Sequence, residues 1–263
     1  MTRPIRLAFL WHMHQPGYLN LKESTLELPW VRLHSAKAYF DMPWMLERHP
    51  GIQCTINFVP IVLEQINHYL NGMRDVYFQL SLKPTSTLTR SEKRTILAKF
   101  FSCNFDTCVA PRPRFIELHQ LAQTENAIDL FCDQDFLDLT VLFNLSWFGY
   151  GTRIEYPLIN ALETKGTKFN EDEKLKVLDL QIAAMRRLFP MYRRLIDRGQ
   201  IEVSTTPYHH PILPLIIDSQ SMARCMPDAT QPQRFECLDD ARRQVSLAVQ
   251  AHETIFRHPP EGM

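Results

Sequence analysis

Two histidines lie near the amino terminus of this 263-residue chain at a spacing that suits ligand binding. His12 and His14 are separated by one residue and are followed by Gln15 and a proline, at the end of an apolar run. Because side chains alternate along a strand, the two imidazoles are expected to point to the same face. Parallel barrels place their sites at the carboxyl ends of strands, so we interpret this group as part of a binding site.

A second group of polar side chains lies in the segment 199–215, which contains three prolines and the sequence Tyr208-His209-His210. Proline fixes its own φ and restricts the preceding residue, so this loop is expected to hold its side chains in place. A polar loop of fixed shape at a strand end is typical of a binding site. We therefore predict that Tyr208 and His210 contact a ligand.

Glu64 and Trp147 are two further candidates, and each has an ordinary structural alternative. Glu64 lies about one turn into a predicted helix, where its carboxylate can accept hydrogen bonds from ligand hydroxyls. The helix dipole alone also favours an acidic residue there. Trp147 follows a predicted strand, where its ring either stacks on the apolar face of a ligand or fills the core. The sequence leaves both alternatives open.

The elements that position these residues follow an alternating order. Short apolar segments rich in β-branched or aromatic residues predict four buried parallel strands, at 5–11, 52–59, 139–145 and 201–205. Helices are predicted between and after them, at 35–47, 61–70, 90–101, 170–198 and 234–256. The long segment 71–138 carries several short helices and is expected to be an insertion after the second strand. This order predicts an α/β fold with a parallel sheet, in a single domain over residues 1–263.

Composition argues against several classes of protein. Lys and Arg total 29, as do Asp and Glu, and this balance argues against a dedicated nucleic-acid binder. Neither a glycine-rich phosphate loop nor a GxSxG or HExxH motif occurs. The apolar runs are too short for a membrane span or a signal peptide, so a cytoplasmic protein is expected. The cysteines lack CxxC spacing and are expected to be reduced, mostly buried thiols; they are Cys54, Cys103, Cys108, Cys132, Cys225 and Cys237.

The candidate motifs together resemble a known family. His12-Met13-His14-Gln15-Pro16, followed by Tyr18, resembles the opening motif of glycoside hydrolase family 57. Segment 199–215 is similar to that family's second motif, including its Pro-Tyr-x-His-Pro core, and segments 59–65 and 143–147 resemble further family segments in the same order. The resemblance extends over nearly the whole chain.

The resemblance implies a (β/α)7 barrel, of which this chain is expected to form the N-terminal part with about four parallel strands. It implies a retaining mechanism on α-glucans or related oligo- or polysaccharides and no cofactor, although some homologues carry bound metal. We assign no metal ligand in this chain. Positions that match substrate-binding residues of the family, or extend its motifs, are His12, His14, Gln15, Glu64, Trp147, Tyr208 and His210.

The catalytic groups that the resemblance implies are not assigned within this chain. Retaining glycosidases need two carboxyl groups about 5 Å apart. In the family they lie in later motifs, a Glu after the fourth strand and an Asp further on. Glu202 lies within the predicted fourth strand and Glu261 precedes the expected nucleophile motif, so neither is assigned. We expect the nucleophile and the acid/base beyond Met263, in the C-terminal part of the same polypeptide, and expect the chain alone to be inactive.

Two other classes of function are compatible with the same residues. His12 and His14 have a spacing that zinc sites use, so a metal-dependent barrel hydrolase or deacetylase is one alternative. A non-catalytic carbohydrate-binding relative is the other.

Overall fold

The structure, a computed structural model, describes residue 5 and residues 7–263. It divides into two compact units. Unit 1 comprises the described residues up to Gly17 together with 46–67 and 189–263, and unit 2 comprises 18–45 and 68–188. The predicted insertion at 71–138 lies entirely in unit 2. No helix among the described residues is both long and apolar enough to cross a membrane.

The strands are, in chain order, β1 (Leu10–Met13), β2 (Leu19–Asn20), β3 (Thr25–Leu26), β4 (Cys54–Phe58) and β5 (Ile201–Thr205). The α-helices are α1 (Trp30–Ser35), α2 (Ala38–Arg48), α3 (Pro60–Leu70), α4 (Val76–Leu82), α5 (Arg90–Lys99), α6 (Pro113–Ala122), α7 (Ala127–Leu130), α8 (Asp133–Ser146), α9 (Tyr150–Glu155), α10 (Pro157–Lys165), α11 (Glu171–Asp197), α12 (Leu213–Ile217) and α13 (Leu238–Phe256). Short 3₁₀ turns cover Thr85–Thr87 and Ser219–Arg224, and a π-helical turn covers Phe105–Val109.

Unit 1 contains a parallel sheet in the order β1-β4-β5. In its register, His12 of β1 pairs with Asn57 of β4, and Asn57 pairs with Ser204 of β5. The second and fourth predicted strands are confirmed. The first begins at Leu10 instead of residue 5, and Arg6 of that prediction lies outside the described residues. The carboxyl ends of the three strands therefore meet at one edge of the sheet.

The predicted strand at 139–145 is wrong, because this segment lies inside α8 in unit 2. Every residue of α8 from Phe136 onward is buried, so the segment has no polar face and its apolar run carries no helical period. The start of the helix is capped, since the Asp135 carboxylate accepts from the Cys132 backbone N–H at 2.8 Å. The described residues therefore contain three parallel strands in place of the four expected.

The core of unit 2 contains a buried ion pair. Arg32 and Asp75 are both fully buried, with the Arg32 Nε 2.7 Å from the Asp75 Oδ2. The guanidinium also donates to Asn144 at 3.0 Å and to Gln181, while the Tyr69 hydroxyl donates to Asp75 at 2.8 Å. Charges taken out of water need this degree of hydrogen bonding. Asn144, a polar residue of the apolar run at 139–145, therefore belongs to a structural network.

Candidate functional site

Three imidazole rings meet at the carboxyl edge of the unit 1 sheet. His12 lies in β1, His14 follows the strand, and His210 comes from the loop after β5. The ring centroids are 5.7 Å apart for His12 and His14, 4.9 Å for His12 and His210, and 5.1 Å for His14 and His210. All three side chains are exposed. We call this set the histidine cluster.

Asn57 fixes the orientation of one member of the cluster. Its Nδ2 donates to the Thr205 carbonyl at 2.9 Å and to the Ser204 Oγ at 3.0 Å. Its Oδ1 therefore faces the His12 Nδ1, 2.8 Å away. Because that oxygen only accepts, the His12 Nδ1 carries the hydrogen. In the neutral ring, the Nε2 is then left as an acceptor.

Asn57 was not among the site residues predicted from the sequence. It is 6% exposed and is the polar residue nearest the carboxyl end of β4. A buried amide requires hydrogen-bond partners. The position of Asn57 in a largely apolar strand is therefore the feature from which its role could have been predicted. The register that places it beside His12 was not predictable, because register depends on the packed sheet.

The backbone after β5 is bound on two sides within unit 1. The Tyr208 N–H donates to the Gln244 carbonyl at 3.1 Å, and the His209 N–H donates to the Gln244 Oε1 at 2.8 Å. The Tyr208 carbonyl accepts from the Ile61 N–H at 3.2 Å. The loop is therefore attached both to α13 and to the start of α3.

His210 has a left-handed backbone conformation, with φ of +56°. Its N–H donates to the Pro207 carbonyl at 2.8 Å, which closes a tight turn. A non-glycine residue in this region costs on the order of 1–2 kcal/mol, and such strain persists where the surroundings hold it. The turn directs the His210 ring onto His12 and His14.

Glu64 and Tyr208 form a hydrogen-bonded pair. Glu64 lies in α3, one turn from its start, and its carboxylate interacts with the Tyr208 hydroxyl. Burial raises the pKa of Tyr208, and the Glu64 charge and hydrogen bond raise it further. The phenol is therefore the donor at neutral pH and the carboxylate the acceptor. Gln15 lies two residues after the end of β1 and is half-buried.

His14 is the member of the cluster whose ionisation is disfavoured. Desolvation lowers the pKa of His14, and positive charge on His210 and His12 lowers it further. The three rings would repel one another if all were protonated, so His14 is neutral around pH 7. A neutral imidazole donates one hydrogen bond and accepts another, which suits a hydroxyl-rich ligand.

Trp147 lies in unit 2, at the carboxyl end of α8, and is 9% exposed. Its ring contacts Trp30 and His34, with centroid distances of 5.6 Å and 5.4 Å, and the Lys37 ammonium lies 5.3 Å from its centroid. These neighbours account for its burial. Its role as a stacking residue stays a prediction.

Of the two acidic residues left unassigned in the sequence, Glu261 precedes Gly262, whose carbonyl accepts from the Thr205 N–H at 3.0 Å at the carboxyl end of β5. Glu202 pairs with Thr55 near the amino-terminal half of β5 and lines a separate cavity of about 350 Å³ with Gln53. Among residues 5 and 7–263, no set of three or more His, Cys, Asp or Glu side chains is arranged to hold a metal ion. The metal-dependent alternative therefore has no donor set in the described part.

The model of the glycosyl hydrolase family 57 matches residues 8–263. This chain belongs to glycosyl hydrolase family 57. The resemblance seen in the motifs at 12–16 and 199–215 is thereby confirmed. The comparison with curated proteins gives no match.

Three solved structures, two of them of family 57 branching enzymes, are also similar to this family 57 chain. A branching enzyme from Pyrococcus horikoshii is 15% identical, with 97% of this chain and 33% of that chain covered and a TM-score of 0.42. A branching enzyme from Thermococcus kodakaraensis is 16% identical (97% and 32% covered, TM-score 0.39). An alpha-amylase from Thermotoga maritima is 12% identical (97% and 34% covered, TM-score 0.43). The chain spans about a third of the length of these structures.

Proposed function

We propose that this chain forms the sugar-binding part of a carbohydrate-active enzyme of the glycosidase or transglycosylase class, acting on α-glucans or related glycans. The observation that carries the proposal is the histidine cluster, three imidazoles in mutual contact at the carboxyl ends of parallel strands. Membership of glycosyl hydrolase family 57 supports it. Ligands of parallel α/β proteins bind at this edge.

The proposed binding chemistry is hydrogen bonding to sugar hydroxyls. The His12 Nε2 accepts, because Asn57 holds the hydrogen on the opposite nitrogen. His14 and His210 offer further donors and acceptors, because desolvation and the charges of His210 and His12 lower the pKa of His14 and favour its neutral form. The Glu64 carboxylate has capacity for a second donor besides Tyr208, since a carboxylate accepts about four hydrogen bonds.

We place the retaining mechanism's two carboxyl groups in the C-terminal part of the same polypeptide. Such a mechanism needs a nucleophile and an acid/base about 5 Å apart. Glu64 is hydrogen-bonded to Tyr208 and acts in binding, and Glu202 lines a different cavity. The chain of 263 residues is therefore expected to bind α-glucans without cleaving them.

The parallel sheet of unit 1 is proposed to be part of a (β/α)7 barrel. β1 is an edge strand among the described residues, and its Leu10 and Trp11 side chains are 63% and 51% exposed. Proteins ordinarily protect apolar edge strands, and closing a barrel removes the edge. Further strands from the same polypeptide would cover these side chains.

Calorimetric titration of the 263-residue chain with maltoheptaose tests the binding proposal. Binding is expected, and His210→Ala should weaken it about tenfold, the loss of one good hydrogen bond. His119→Ala, in α6 of unit 2, is the matched control and should bind as the unaltered chain does. Equal binding by the His210 variant would overturn the assignment of the site.

Two observations separate the catalytic proposal from a non-catalytic binding protein. Release of reducing sugar by the chain itself would contradict the placement of the carboxyl groups. The gene sequence beyond codon 263 distinguishes an enzyme from a non-catalytic binding protein. An open frame leading into a Trp-x-x-Glu motif supports the enzyme, while a stop codon would favour the non-catalytic alternative.

A further inference from the structure

A cavity of about 400 Å³ lies within unit 2, and all of its lining residues belong to that unit. Its walls come from α2 and the residue before it, the π-helical turn, the residues just before α6, the end of α8, α9 and α10. Tyr150 of α9 lines the cavity and is 62% exposed, so the cavity is reached from solvent. The volume lies within the range of about 300–1,000 Å³ that is usual for small-molecule sites.

The charges that line this cavity do not balance. Lys37, Arg112 and Arg153 are cations, whereas Asp41 and Glu163 are carboxylates. Three positive charges against two negative charges leave a surplus of one positive charge. A bound anion with a single negative charge would therefore neutralise the lining.

Both carboxylates are already hydrogen-bonded within the walls. The Glu163 Oε1 accepts from the Arg112 Nη2 at 2.6 Å and from the Arg153 Nη1 at 2.8 Å, and its Oε2 accepts from the Arg112 Nε at 2.9 Å. The Asp41 carboxylate accepts from two backbone N–H groups at the start of α9, at 2.8 Å and 2.7 Å. The two arginines thus share one carboxylate, and the positive surplus falls on Lys37.

Lys37 carries the cation that lacks an anionic partner. Its side chain is half-buried, and its ammonium forms neither an ion pair nor a hydrogen bond with residue 5 or residues 7–263. It lies 5.3 Å from the centroid of the Trp147 ring, a contact that attracts the charge without neutralising it. The three donors of the ammonium therefore remain available to a ligand.

The two guanidinium groups also have N–H groups to spare. Arg112 donates its Nε and Nη2 to Glu163 and its Nη1 to the Cys108 carbonyl. Arg153 donates its Nη1 to Glu163 and its Nε and Nη2 to two backbone carbonyls. A guanidinium has five N–H donors, so among the described residues two stay unused on each arginine. Guanidinium groups suit the oxygen atoms of an oxyanion.

The remaining wall of the cavity is partly apolar. Pro111, Phe148 and Tyr150 line it beside the charged groups, and Phe148 is 2% exposed. Sites for small organic ligands combine aromatic side chains with a few polar groups that fix the orientation of the ligand. This combination favours an anion with a carbon skeleton over a bare inorganic ion.

We propose that this cavity binds a small organic carboxylate, with the carboxylate group on Lys37 and the spare N–H groups of Arg112 and Arg153, and the carbon skeleton against Phe148 and Tyr150. A phosphate monoester carries about 1.5 to 2 negative charges near pH 7, which exceeds the surplus of one positive charge. An excess of negative charge in a half-buried site is unfavourable. A single carboxylate is therefore the better match.

Amide NMR of the folded 263-residue chain, titrated with benzoate, tests the proposal. Gly149 lines the cavity, so its resonance should shift and saturate in the millimolar range. Gly199, which lies in unit 1, should stay in place. Benzamide has the same shape without the charge and should bind at least tenfold more weakly. Phenyl phosphate has the same ring with about one further charge and should also bind more weakly than benzoate.

Three lysine variants assign the binding to the cavity. Lys37→Gln should weaken benzoate binding tenfold or more, because one charge-assisted contact is lost. Lys37→Arg keeps the charge and should retain most of the affinity. Lys99→Gln, at the exposed end of α5, is the matched control and should bind benzoate as the unaltered chain does. An unmoved Gly199 resonance shows that each variant is folded.

Four results would overturn the proposal. The first is a Gly149 resonance that does not shift with benzoate in the millimolar range. The second is equal binding of benzoate by Lys37→Gln and the unaltered chain, which would place the anion elsewhere. Binding of benzamide as tight as that of benzoate would show that the charge surplus has no part. Tighter binding of phenyl phosphate than of benzoate would contradict the match to a single negative charge.

Discussion

Replacing His252 with leucine should remove part of the chain's sensitivity to acid. His252 lies in α13 within unit 1 and is fully buried against Phe256, with the His258 ring 5.4 Å away. Neither ring nitrogen has a hydrogen-bond partner among the described residues. Burial, together with positive charge on His258, lowers the pKa of His252 to about 4. The folded state therefore holds this imidazole neutral.

The magnitude follows from proton linkage. The ordinary pKa of a histidine is 6.5, whereas that of His252 in the folded chain is about 4. Between these two pH values the imidazole is protonated in the unfolded chain and neutral in the folded chain. Stability due to this group is present above pH 6.5 and falls as the pH drops toward 4. Each pKa unit corresponds to about 1.4 kcal/mol, so the loss between pH 7.5 and pH 4.5 is about 2–3 kcal/mol.

Urea unfolding followed by circular dichroism at pH 7.5 and pH 4.5 measures this loss. The His252→Leu variant should lose about 2–3 kcal/mol less than the unaltered chain between the two pH values. At pH 7.5 it should be as stable or more stable, because a buried ring without partners is replaced by an apolar side chain. Exposed His49, replaced by leucine, is the control. Equal acid sensitivity in the His252 variant and the unaltered chain would refute the reasoning.

Two further predictions concern polar groups that the structure buries. Asn57→Leu should remove the hydrogen bond that fixes the tautomer of His12. Nitrogen NMR of the neutral His12 ring should then show a mixture of both tautomers in place of one. An unchanged spectrum would contradict the role given to Asn57. Asp75→Asn should destabilise unit 2 by about 3–5 kcal/mol, because Arg32 would be left as a buried unpaired charge. Urea unfolding measures this loss. A change in the free energy of unfolding below about 1 kcal/mol would contradict the burial of the pair.

The elements predicted correctly are those whose local pattern has one structural solution. β4 and β5 are short, β-branched and bounded by turn residues, and both strands are found where the sequence placed them. The run at 139–145 has the same composition, but it lies within the fourteen-residue α8. An apolar segment that is buried on every side has no hydrophobic periodicity. A strand can then be distinguished from a helix only by the length of the segment and by its capping residues.

The histidines of the site were identified from sequence, but their geometry was not. The HxH spacing and the proline-rich loop placed His12, His14 and His210 at strand ends. Their ring contacts depend on the left-handed backbone conformation of His210. A positive φ is uncommon for residues other than glycine, so it could not be predicted at a histidine. The expectation of mostly buried thiols was wrong, because Cys108 is buried, Cys54, Cys103 and Cys237 are half-buried, and Cys132 and Cys225 are exposed.

Histidine-selective NMR of the chain, titrated with maltoheptaose, tests the central claim most directly. The imidazole resonances of His12, His14 and His210 are expected to shift together with one saturation curve. The resonances of His49 and His119 should remain in place. Shifts confined to His49 or His119, or no shifts at saturating sugar, would contradict the assignment of the histidine cluster as the sugar-binding site.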